Sequence, residues 1–309
     1  MESSFDGKNV RNPNFIIGGA AASGTSFLSA AIIQHPQIYL PQQMRPEPHY
    51  FYKSWEYSKP YEYYLEKYFS GVHDEVAVGE RSSSYLYLAE VPSRVAKFLP
   101  EVRWIFCLRN PIERAYANYR YTVLEGLEEL SFDEALECEE ERKQASTGIW
   151  AEIQPYDYTG RGFYGRQLAN FFEYFPRENF FCIKSEQLRA EPHKEFARLF
   201  AFLGVDVSFA PTLPEVFNSP SVKDRKIQKL CRDYFQNRFD ALVEHIRIVK
   251  NIPLLDTRED QHMAERLFNN LEDRQESLSS DTRGRLRNLY AEDMNMLISL
   301  VDFHVDDWQ

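Results

Sequence analysis

Short apolar runs at Asn14–Gly18, Ala77–Glu80, Arg103–Leu108 and Asn179–Lys184 read as strands. Between and after them apolar positions recur at helical spacing, which predicts helices over Thr25–Gln34, Pro92–Phe98, Pro111–Glu125, Arg161–Phe175 and Pro192–Leu203. Strands that alternate with helices pair in parallel, so the pattern predicts an α/β fold with a central parallel sheet flanked by helices. From Val222 onward the pattern is helical throughout: Asp224–Ile246, Gln261–Leu271, and a last helix in "SSDTRGRLRNLYAEDMNMLISLV" that opens on a Ser/Asp cap signal. No repeat, low-complexity tract or Gly/Ser linker interrupts the chain. The expectation is a single domain over 1–309, with an α/β core over about 12–205 and a helical C-terminal wrap over about 206–309.

In such folds a ligand sits at the carboxyl ends of the strands. Three of those ends carry polar signals: "GGAAASGTS", "GERSSSY" and "LRNPIER". The first follows a strand and leads into a helix, a P-loop-like arrangement whose backbone N–H groups and helix dipole converge on an anion. Gly19 and Gly24 have the spacing of a nucleotide-binding loop, but Thr25 stands where the nucleotide-hydrolysing version has Lys. That speaks against an ATPase or kinase. Ser23, Gly24, Thr25 and Ser26 remain able to offer amides and hydroxyls to a phosphate; a plain tight turn is the alternative. Arg109, at the end of "IFCL", has a planar fork suited to a phosphate, or to a surface carboxylate such as Glu113.

Composition narrows the ligand. The chain has 47 acidic and 36 basic side chains, a net charge of −11, which argues against nucleic acid or a membrane surface as partner. An anionic ligand must then be caught by a local positive pocket. One such feature is "NSPSVKDRKIQKL", where Lys223, Arg225, Lys226 and Lys229 outweigh Asp224. Cys107, Cys138, Cys182 and Cys231 are scattered without disulfide or zinc spacing, so no metal is expected, and no apolar run approaches the roughly 18 residues that span a bilayer. A cytoplasmic location is the expectation. The stretch Glu125–Glu141, with nine acids and no base, reads as a solvated helix face.

"GGAAASGTSFL" followed by "IFCLRNPIERAYANYR" resembles the paired 5′- and 3′-phosphosulfate-binding segments of the sulfotransferase family, at a similar separation of about 85 residues. "RPEPHYF" (Arg45–Phe51), "VGERSSSYL", "FYGRQLANFFEYFPRENFFCIKSEQL" and the tail from Leu278 fit the same family, of bacterial and heparan-sulfate type. The resemblance implies a donor, 3′-phosphoadenosine 5′-phosphosulfate (PAPS), a product, PAP, and an acceptor hydroxyl or amine on a small molecule or glycan. It implies Glu47 as the base, with His49 beside it as a second group able to take the proton, and Arg81 as a cation facing the reaction centre. X-Pro at Glu47-Pro48 favours an extended segment, in which Glu47 and His49 point the same way. The resemblance places Lys223, Arg225 and Lys226 in a donor-binding loop. Some of the ten aromatic residues between Tyr50 and Phe69 would wall the acceptor pocket, the rest being core.

Two positions depart from the family. Its phosphosulfate loop carries a Lys where this chain has Ala22, and its 3′-phosphate helix offers a Ser where this chain has Ala117. Losing one such preorganised donor costs on the order of 10²–10³ in rate. The expectation is that Arg81 or Lys223 compensates for Ala22. The rival readings are a PAP- or PAPS-binding protein without turnover and a P-loop small-molecule kinase.

Overall fold

The computed structural model describes residues 3–5, 8–41, 47–214, 220–273 and 277–308. Arg45 and Pro46 of the "RPEPHYF" stretch and Asn218 and Ser219 of the basic loop lie outside them. Five strands form the central parallel sheet: β1 (Phe15–Gly19), β2 (Ile38–Tyr39), β3 (Ala77–Arg81), β4 (Arg103–Leu108) and β5 (Phe180–Lys184). Their order is β2-β3-β1-β4-β5 and every pair is parallel. The α/β fold expected from the alternation is therefore present. β2, a two-residue edge strand, is an addition, too short to show any alternation.

The order explains why the polar strand ends converge. β1 lies between β3 and β4, and the ladder continues past the strand ends: Ser82 N–H donates to the Ile17 carbonyl (3.0 Å), and Ala20 N–H donates to that of Cys107 (2.8 Å). The turn after β1 is thus framed by Arg81–Ser83 on one side and Leu108–Arg109 on the other. One core joins Phe15 and Ile17 of β1, Leu28 and Ile32 of the helix Thr25–Ile32, and Leu199 and Phe200 of the helix Pro192–Leu203. Each fully buried side chain of this kind contributes about 1.5–3 kcal/mol.

Two compact units divide the chain, residues 1–114, 160–214 and 287–309 in the first, and 115–159 and 215–286 in the second. The first holds the sheet. Its C-terminal part supplies Asp293, whose carboxylate accepts from the N–H groups of Gly165 (2.8 Å) and Arg166 (3.0 Å) at the start of the helix Tyr164–Phe172. The expected helix over Arg161–Phe175 is shorter at both ends, with a 3₁₀ turn over Gly160–Gly162 before it.

In the second unit the helices Arg225–Phe235, Phe239–Val249 and Arg258–Asn270 close on Cys231, Phe239, Leu242 and Leu267. The single helix expected over Asp224–Ile246 is broken by Gln236, at φ 49°, and the bend puts the apolar faces of both pieces on one core. The acidic stretch also needs correction. Glu129, Asp133, Glu134, Glu137, Glu140 and Glu141 are exposed, as a solvated face requires, but Glu128 and Glu139 are buried. Glu128 accepts from two nitrogens of Arg142 (2.6 and 3.2 Å) and from the Tyr158 hydroxyl (2.9 Å), and Glu139 from the Thr159 N–H (2.6 Å). Those partners, Arg142, Tyr158 and Thr159, lie outside the stretch, where a count of its own charges does not reach.

Candidate active site

The turn after β1 is shaped by close approach. A Cβ on Gly19 would lie 2.9 Å from Leu86 Cβ and 3.2 Å from the Ser83 carbonyl oxygen, so only glycine lets the turn pass Ser83. At its far end Gly24 takes φ 100°, which favours glycine, and stands at the N-cap of the helix Thr25–Ile32 with no side chain to cap it. The first-turn amides at Thr25 and Ser26 therefore face outward with the positive end of the helix dipole. Ser23 is buried in the turn, and Cys107 Sγ donates to its carbonyl (3.0 Å). A phosphate fits this arrangement of backbone donors.

Arg109 reaches the same turn, its Nη1 donating to the carbonyl of Ala22 (3.4 Å), while the Tyr164 hydroxyl donates to the Arg109 carbonyl (3.0 Å). Burial, and then the charge of Arg189, push the Arg109 guanidinium below its ordinary value. Two cations held this way favour an anion beside them. Arg189, at the end of the helix Ser185–Ala190, carries no motif in the sequence, where it is one basic residue among many.

Glu47, His49 and Arg81 come together. Arg81 Nε lies 3.0 Å from Glu47 Oε1, and His49 Nε2 lies 3.3 Å from Glu47 Oε2. Ser83 adds its N–H (2.8 Å) and its hydroxyl (2.8 and 3.1 Å to the two carboxylate oxygens). Arg81 is buried, and its Nη1 donates to Ser29 Oγ (3.0 Å), one turn inside the helix that opens at Gly24. The guanidinium thus links Glu47 to the helix that follows the turn after β1.

Glu47 and His49 meet for another reason than the one expected. His49 is not extended but takes φ 48°, and its N–H donates to Ser82 Oγ (2.9 Å). Burial pushes its imidazole down to about 4 despite the opposing pull of Glu47, with Lys53, Arg161 and Arg81 adding to the lowering. A neutral His49 near pH 7 can align Glu47 without competing for positive charge. In the aromatic band, Tyr50, Phe51, Tyr52, Tyr64 and Phe69 are buried, which places those rings in the core.

The second unit holds the remaining residues. Ala117 lies half-buried on the helix Pro111–Leu124. Lys223 Nζ donates to the Asn269 carbonyl (2.7 Å), and Lys226 is exposed. Arg225 Nη1 donates to the Glu129 carbonyl (3.5 Å), and its guanidinium lies 5.9 Å from the Tyr119 ring centre. A shallow, open depression lies beside Arg225, lined also by Tyr119, Arg120 and Ser221. Among the described residues no group of three His, Cys, Asp or Glu is placed to hold a metal ion, and no helix is long and apolar enough to cross a membrane.

A family profile described as "Sulfotransferase domain" matches residues 12–290. Human heparan sulfate glucosamine 3-O-sulfotransferase 3B1 is 25% identical over 206 residues, covering 66% of this chain and 50% of the relative. Mouse bifunctional heparan sulfate N-deacetylase/N-sulfotransferase 4 is 26% identical over 202 residues, 62% of this chain and 22% of the relative. The chain thus spans half or less of the length of these curated relatives. A crystal structure of a sulfotransferase from Alicyclobacillus acidocaldarius superposes with a TM-score of 0.70 at 25% identity, covering 97% of this chain and 99% of the other.

Proposed function

The chain belongs to the sulfotransferase family, and from that premise we propose that it moves a sulfuryl group from PAPS to a hydroxyl or amine of an acceptor, releasing PAP. The observation that carries the reading is the chain of contacts from Glu47 through Arg81 to Ser29: a carboxylate and a cation placed together and tied to the helix that opens the anion-binding turn. The turn 22–26 and Arg109 bind the phosphosulfate and orient it. Glu47, whose side chain keeps 15% exposure, accepts the proton of the acceptor. His49 and Ser83 hold that carboxylate in place. Arg81 supplies the positive charge that the loop lacks at Ala22, stabilising charge as it develops on the leaving oxygen. Lys223, whose ammonium donates to the Asn269 carbonyl, is the alternative substitute.

Arg225, with the depression beside it, and Lys223 and Lys226 are assigned to the donor, as the family resemblance implies. The acceptor we favour is a small molecule or short glycan, since a net charge of −11 disfavours a long polyanion. The relatives' printed names pair heparan sulfate with both O- and N-sulfotransferases, and both a hydroxyl and an amine stay within the proposal. Four unpaired cysteines support a reducing compartment, the cytoplasm.

Thermal-shift measurements with PAP, PAPS and ATP in parallel test donor binding, and mass spectrometry of a short glucosamine oligosaccharide incubated with protein and PAPS tests transfer. Stabilisation by PAP and PAPS with a gain of one sulfate on the sugar is expected. Stabilisation by ATP but not by PAP would sink the proposal.

A further inference from the structure

We infer that Glu80 is a positioning residue for the proposed base: through the hydroxyls of Ser82 and Tyr85 it fixes the backbone of His49 and Phe51, and so sets where Glu47 stands. The inference rests on the reading of Glu47 given above. Glu80 lies in β3 and is fully buried. Its Oε1 accepts from the hydroxyls of Tyr64 (3.0 Å) and Tyr85 (3.1 Å), and its Oε2 from that of Ser82 (2.7 Å). Two of these hydroxyls are acceptors in turn. Ser82 Oγ takes the N–H of His49 (2.9 Å), and the Tyr85 oxygen takes the N–H of Phe51 (3.1 Å).

Hydrogens therefore run one way, from amide to hydroxyl to carboxylate. A hydroxyl has one proton, so giving it to Glu80 leaves its lone pairs for the amide. All three bonds to Glu80 need a group that only accepts, which is the ionised carboxylate. A carboxamide there turns its NH₂ toward Ser82 or toward the two tyrosines. The hydroxyl on that side loses residue 80 as the acceptor of its proton, and the network has to loosen.

The end of β3 and the turn after it grip alternate residues of the active segment. Ser83 holds Glu47, Ser82 holds His49 and Tyr85 holds Phe51. On the carbonyl side Arg94 Nη1 donates to Phe51 (3.0 Å) and Tyr52 (3.1 Å). The residue at the centre of this grip, His49, has the left-handed φ of 48° that a non-glycine residue keeps only where its surroundings impose it. Pro48 has no N–H to offer, so the amides of His49 and Phe51 are the handles available on either side of the strained position. Glu80 is the one group to which both handles lead.

Amide hydrogen exchange at residue resolution, run beside sulfuryl transfer from PAPS to a short glucosamine oligosaccharide, tests the inference on the full chain. At about pH 8.5, where the Glu80 carboxyl is ionised, Glu80→Gln should speed exchange at His49 and Phe51 by at least about tenfold and lower kcat by about 10²-fold, as a displaced catalytic group does, while the Kd for PAP moves less than about threefold. Ser82→Ala should expose His49 more than Phe51, and Tyr85→Phe the reverse. Tyr64→Phe, which removes one donor to Glu80 without releasing an anchored amide, should move both by less. On a Ser82→Ala/Tyr85→Phe background Glu80→Gln should add less than about twofold in kcat, because the three act along one path. Unchanged exchange at both amides in Glu80→Gln, or full additivity on that background, would overturn the inference. Should Glu80→Gln not fold, the opposite preferences of Ser82→Ala and Tyr85→Phe decide it. Absence of transfer in the wild type would count against the base reading alone, since the exchange pattern still decides whether Glu80 anchors the segment.

Discussion

Glu47 and Glu128 are both carboxylates held by an arginine and a hydroxyl, one in each compact unit. Glu128 is closed off: its side chain has 0% exposure, two nitrogens of Arg142 bracket it at 2.6 and 3.2 Å, and the Tyr158 hydroxyl and Leu130 N–H complete its shell. Glu47 has an equally full set of partners, but 15% of its side chain meets solvent, and its arginine continues to Ser29 in the helix that follows the turn after β1. The pair chemistry is the same in both. What separates a site from a brace is whether a reacting group can reach the carboxylate and whether its cation leads anywhere.

The largest effect that can break this distinction is expected at Glu47. Glu47→Gln should lower sulfuryl transfer by about 10²–10⁴-fold, the range for loss of a general base, with PAP binding retained by calorimetry. Full activity in that variant would remove Glu47 as base. Glu128→Ala should do the opposite, costing about 1–3 kcal/mol of stability in urea unfolding by removing the buried acceptor of Arg142, Tyr158 and Leu130, with transfer per folded molecule little changed. If Glu128→Ala loses activity and keeps its stability, the two carboxylates have been read the wrong way round.

Much of the frame that positions the site was legible in the sequence. Arg103–Leu108 and Pro192–Leu203 occur with the expected bounds, because a run of apolar β-formers marks the first and Pro at the start with Gly204 at the end, φ 74°, marks the second. The break at Gln236 carries neither Gly nor Pro and only tertiary packing shows it. The site was legible as residue types but not as partners. In sequence Arg81 has Glu80 beside it, yet successive residues of a strand point to opposite faces. Arg81 accordingly turns toward Ser29 and Glu47, and Glu80 toward Tyr64 and Tyr85. Ser29 lies outside every motif, Ser83 is one of three serines in "GERSSSY" with nothing to single it out, and both gain their partners only when β1 and β3 lie side by side.

Glu80 offers a third, smaller test, in which pH separates bracing from positioning. Burial raises its carboxyl to about 7, against the opposing bonds from Ser82, Tyr64 and Tyr85, and the nearby charge of Glu47 adds to the rise. A folded-state value above the unfolded one means that the native protein holds a proton the unfolded chain has already lost. Its contribution to stability is therefore full below about pH 4.5 and declines as pH rises through about 7, by roughly 3 kcal/mol. The positioning role asks for the ionised form and so gains over the same range. Wild type should lose stability relative to Glu80→Gln between those limits, in urea unfolding at stepped pH, while its kcat rises. A flat stability difference would show that the carboxyl does not titrate there.

Ala22→Lys is expected to change the least, and it bears on the feature of the loop that departs most from its family. Ala22 already holds φ 65°, so a longer side chain adds no backbone strain that the alanine does not carry. If Arg81 supplies the charge stabilising the leaving oxygen, a second cation entering from the turn adds to a place already served. The rate should then rise by less than about tenfold, well short of the 10²–10³ that a missing preorganised donor costs. A gain of that full size would mean that the arginine tied to Glu47 and Ser29 holds the base without serving the leaving group. Arg81→Lys separates the two duties further, because an ammonium keeps the charge but cannot contact Glu47 and Ser29 through a rigid fork. Loss of rate in Arg81→Lys, restored in part by adding Ala22→Lys, would place the leaving-group charge on Arg81.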